Sequence, residues 1–94
     1  MAAPFYSRTV EHYFRLAIGQ SKIPNNAHLA KWYNKVNEWM SALPETDAAF
    51  LKAVFSRRNT SVQVVLQLIP GNTLENWDRL NRLEKSFAVY AELY

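Results

Sequence analysis

The 94-residue sequence holds two histidines, His12 and His28, and no cysteine. Neither histidine has a second ligand four residues away, so the H-x-x-x-H spacing by which one helix grips a metal is missing. Without cysteine there is no thiolate nucleophile, no thiolate metal site and no disulfide. Glycine occurs only at Gly19 and Gly71, which leaves no loop able to cradle a phosphate. The carboxylates fall at helix starts or on polar faces, where the helix dipole and hydration account for them. These residue types predict a chain that is not an enzyme and that holds no cofactor or metal.

The spacing does offer hydrogen bonding to bases. Thr73, Asn76 and Arg79 are three residues apart, about one turn each, on one side of a helix. Arginine and asparagine carry the donor patterns that pair with guanine and adenine edges in the major groove. Ahead of them, Ile69-Pro70-Gly71-Asn72 has proline second and glycine third, as a type II turn requires. Ser61 to Leu68 precedes that turn as a short helix. A short helix, a turn containing glycine and a longer helix form the outline of a helix-turn-helix. Arg57 and Arg58, in the connection before the short helix, and Arg82, farther along the last one, are spaced to hold phosphates. The partner this implies is double-stranded DNA.

Five segments must position these side chains. Val10, Tyr13, Phe14, Ala17 and Ile18 fall at helical spacing, with Ser7 to cap the start and Gly19 to end it. Asn26 caps a second helix, running to about Leu43, whose stripe is Leu29, Trp32, Tyr33, Val36, Trp39, Met40 and Leu43. Pro44 takes the first position of a third helix, with Glu45 and Asp47 in its first turn. The fourth segment is ambiguous. Val62, Val64, Leu66 and Leu68 alternate as in a strand, whereas Val62, Val65, Leu66 and Ile69 share a helical face. No second segment exists for a strand to pair with, so a helix is expected. Asn72 and Glu75 have capping-box spacing at the start of the last helix, whose stripe is Leu80, Leu83, Phe87, Tyr90 and Tyr94. The expectation is one all-α domain over residues 1–94, a compact five-helix bundle with a helix-turn-helix within residues 44–94.

Composition agrees with a packed core: 49% of residues are hydrophobic and 14% aromatic. The opening Met1-Ala2-Ala3-Pro4-Phe5-Tyr6 lacks the basic and apolar regions of a secretory signal, and no stretch reaches the roughly 18 apolar residues of a membrane span. A cytoplasmic location and no membrane partner are therefore expected. The net charge is +3, and its excess lies early. Residues 1–43 hold five basic side chains against two acidic ones, and residues 44–94 hold six against six.

The stretch Leu43-Pro44-Glu45 through Phe50-Leu51, the gap to Val62 and Val65, and the closing Arg82-Leu83-Glu84-Lys85-Ser86-Phe87-Ala88 together resemble the C-terminal part of small phage late-transcription regulators. Those autolysin-regulator-like proteins carry a domain similar to region 4 of sigma factors. The resemblance covers residues 43–94 and implies a DNA-binding helix-turn-helix with its recognition helix starting near Thr73. A second reading stays open: a non-catalytic interaction module, of phage or plasmid type, that docks a protein partner or a second copy of itself through an aromatic face.

Overall fold

The computed structural model describes residues 6–19, 25–56 and 61–93, and among these there are five helices and no strand. They are α1 (Tyr6–Ile18), α2 (Ala27–Ser41), α3 (Glu45–Phe55), α4 (Val62–Leu68) and α5 (Thr73–Tyr90). The chain is an all-α bundle.

The ends of the helices follow from local chemistry, with two departures from expectation. Helix α1 begins at Tyr6, so Ser7 lies inside the first turn rather than capping it. Pro44 is the cap of α3 rather than its first helical residue: its ψ of 145° is not helical, and its carbonyl accepts from the Asp47 and Ala48 amides. Asn26 does cap α2, its side chain accepting from the His28 and Leu29 amides at 2.9 and 3.2 Å. Gly19 closes α1 where it runs beside the end of α3. A Cβ there would lie 2.8 Å from the Arg15 carbonyl oxygen and 3.4 Å from that of Phe55.

The ambiguous fourth segment is a helix. Ser61 caps it by accepting from the Val64 amide, and Val62, Val65 and Leu66 turn inward. Gln63, Val64, Gln67 and Leu68 face solvent, so the alternating pattern was carried partly by apolar side chains on the outside. Gly71 has a φ of +106°, the left-handed value that a type II turn needs at its third position. Asn72 then caps α5, accepting from the Leu74 and Glu75 amides at 2.9 and 3.2 Å.

One core joins the helices. At its centre Phe14 lies flat against Trp39 at 5.5 Å and meets the edges of Phe55 and Phe87 at 5.3 Å each. Helix α1 packs on α2, α3 and α5, while α4 touches α3 and α5 and so forms a separate corner. No helix among the described residues is long and apolar enough to cross a membrane.

Candidate nucleic-acid interface

The candidate interface is the corner made by α3, α4 and the start of α5. Helix α4 lies against both neighbours through Val62, Val65 and Leu66. The turn at 69–72 then sends α5 off with Leu80 and Leu83 inward and Leu74, Glu75, Asp78, Asn81 and Arg82 exposed. Leu74, the second residue of α5, is 75% exposed.

The sequence-predicted residues divide into two groups. Thr73 is half-buried and Arg82 exposed, both able to meet a ligand. Asn76 and Arg79 are engaged by the fold. Only 9% of Asn76 is exposed; its amide donates to the Pro70 carbonyl at 3.4 Å, beneath Gly71. Arg79 donates from Nε and Nη2 to the same oxygen of Asp47, Oδ1, at 3.0 and 2.7 Å. Its guanidinium also lies over the Phe50 ring, 4.8 Å from the centroid. Asn76 therefore fastens the turn to α5, and Arg79 fastens α5 to α3. Arg57 and Arg58 lie outside the described residues.

Charge at this corner is mixed. An open cleft of about 640 Å³ is lined by Asp47, Glu75, Asn76, Asp78, Arg79 and Arg82. Three carboxylates there face two guanidiniums, one of which Asp47 already neutralises. Asp47 sits in the first turn of α3, where the helix dipole favours a negative charge.

Sequence spacing missed a second cluster, on α1 and α2. Tyr13 stacks on Trp32 at 4.3 Å and 5°, and both Lys31 and Lys35 bring their ammonium groups onto the Trp32 ring. Lysines four apart around a tryptophan on one helix were a usable signal. The histidines stand beside this stack, His12 at 5.7 Å from the Tyr13 ring and His28 at 6.4 Å from Trp32.

No protein family, curated protein or solved structure matched the chain when it was compared with each.

Proposed function

We propose that this chain is a non-catalytic DNA-binding domain of the transcription-regulator kind, with α4, the turn and α5 acting as its helix-turn-helix. The observation that carries the reading is the uncovered start of α5. A seven-residue helix precedes it, a four-residue turn leads into it, and its first turns leave Leu74, Asp78, Asn81 and Arg82 open to solvent. That is the part of a recognition helix which enters the major groove.

The exposed side chains have the chemistry for base edges. Leu74 and the Thr73 methyl suit the thymine methyl group, and Asp78 can accept from the amino group of cytosine. Asn81 has the paired donor and acceptor that match adenine, and Arg82 the fork that matches guanine or a phosphate. Asn76 and Arg79 support this surface from behind. The resemblance of residues 43–94 to sigma-like phage regulators points the same way.

The apolar exposure of Val64, Leu68 and Leu74, at 45%, 60% and 75%, favours the other reading, a surface that docks a protein. Fluorescence anisotropy with a random duplex, in low and then moderate salt, separates the two. Duplex binding that falls steeply with salt, and about tenfold or more on Arg82→Ala, is the expected result. A folded protein at micromolar concentration that binds no duplex in low salt would overturn the proposal.

A further inference from the structure

We infer that α1 and α2 carry a second, separate surface that binds the phosphate backbone of the duplex, built on Lys31, Lys35 and the Tyr13–Trp32 stack. The ligand rests on the DNA-binding reading above; the surface does not. Helix α5 cannot supply the cations that such binding needs. Its Arg79, Arg82 and Lys85 are matched in number by Glu75, Asp78 and Glu84, and Arg79 is tied to Asp47. Described residues of α1 and α2 instead hold Arg8, Arg15, Lys31 and Lys35 against Glu11 and Glu38.

The two lysines share one ring. Their Nζ atoms lie 5.8 and 5.6 Å from the centroid of the same Trp32 ring, one turn apart on α2. Tyr13 backs that ring, and Trp32 is itself only 8% exposed, so the platform does not move with solvent. Among the described residues neither lysine meets a carboxylate; the ion pair found there is Arg79 with Asp47. Glu38, one turn beyond Lys35, interacts instead with the Tyr90 hydroxyl of α5. Two ammonium groups on one ring, with no carboxylate partner among the described residues, form a site for two adjacent phosphates. Attraction to a ring face leaves most of each charge available, whereas a salt bridge would cancel it.

This cluster is far from the start of α5. Trp32 meets α5 at Phe87, fourteen residues or about 20 Å along the axis from Thr73. Contacts at both ends therefore belong to different phosphates.

Anisotropy titrations of a random duplex across a salt series test the proposal with the full chain. Three proteins are compared with the wild type: the Lys31→Gln/Lys35→Gln double variant, the Lys31→Arg/Lys35→Arg double variant, and Arg82→Ala. Circular dichroism confirms that each is folded. Loss of two phosphate contacts should flatten the slope of log affinity against log salt by about two units in the glutamine variant. The arginine variant should restore it. That result with Arg82→Ala unchanged would support this surface and refute the helix-turn-helix. An unaltered slope in the glutamine variant, with Arg82→Ala weakened, would overturn this surface and leave the helix-turn-helix standing. Absence of duplex binding by the wild type would overturn both. Competition by poly-glutamate as strong, charge for charge, as by duplex would also overturn it, assigning the lysines to an acidic protein.

Discussion

Around Phe14 the bundle is aromatic and closed; around Leu66 it is aliphatic and open. Phe14, Trp39, Phe55 and Phe87 fill the first region, each 8% exposed or less, and Tyr13 and Trp32 extend it toward the lysines. In the second region Val62, Val65 and Leu66 anchor a helix of seven residues whose outer side keeps Val64 and Leu68 in water. An aromatic ring buries far more surface per residue than a valine, so the first region can be held by few side chains. The second has little apolar area to spend, and its shape depends on a turn, two caps and one ion pair. Stability and exposure are thus segregated: the rigid half fixes α5, and the thin half presents the start of α5.

The largest expected effects test that segregation. Phe14→Ala and Trp39→Ala should each cost roughly 3–5 kcal/mol in denaturant unfolding, because both rings lie inside the closed region. Leu66→Ala should cost nearer 2–3 kcal/mol, the low end for a buried leucine, because a short helix at a corner can settle into the gap. Equal losses at Phe14 and Leu66 would break the comparison. A loss below about 1 kcal/mol at Trp39 would remove it from the core altogether.

The next effect separates two glycines. Gly71→Ala should lose roughly 1–2 kcal/mol by conformational strain alone, since φ is +106° and the nearest side-chain atom to a Cβ there is 3.6 Å away. Gly19→Ala should lose by collision with backbone, which a change of rotamer cannot relieve. Unfolding midpoints give the losses, and crystal structures of the two variants would distinguish their causes: a flipped 70–71 peptide in one, and a distorted last turn of α1 in the other.

Which of these features could be read from sequence follows from their range. Helical stripes and caps are local, and Trp32, Val36, Trp39 and Met40, together with the caps Asn26 and Asn72, stand where their spacing puts them. The reading failed where long-range contacts decide. Tyr90 belongs by spacing to the buried stripe of α5 but is 40% exposed. Asn76 and Arg79 have base-reading chemistry, yet neither the turn folding back over Asn76 nor Asp47, 32 residues from Arg79, can be seen in their spacing. The same blindness hid the α1–α2 platform, since Tyr13 and Trp32 meet only when the two helices pack.

Smaller effects sharpen the description of the open corner. A double-mutant cycle on Asp47→Asn and Arg79→Ala should give a coupling of about 0.5–1 kcal/mol, reduced by the partial exposure of both groups and by added salt. A coupling of zero would return Arg79 to the set of side chains free to contact DNA. Leu74→Ser should alter stability by no more than about 0.5 kcal/mol, since the residue already stands in water. Chemical denaturation measures both, and a large loss at Leu74 would show that the start of α5 is covered in solution.

The finest test concerns how the closed half holds the far end of α5. Glu38 of α2 acts on the Tyr90 hydroxyl, and its carboxylate, with some burial, raises the Tyr90 pKa above the ordinary 10.0. The shift favours the neutral phenol in the folded state. Its contribution to stability is therefore complete below pH 10 and disappears as pH climbs through the raised value. Tyr90→Phe removes that contribution at every pH and removes its alkaline loss as well. Thermal unfolding of the two proteins, from neutral pH to well above 10, should show a gap that is constant at first and then closes. Every other ionisable group is common to the two proteins, so the difference isolates Tyr90. A gap that stays constant to the alkaline end would mean that the hydroxyl does not bond to Glu38, leaving the last turn of α5 held by Phe87 and Ala88 alone.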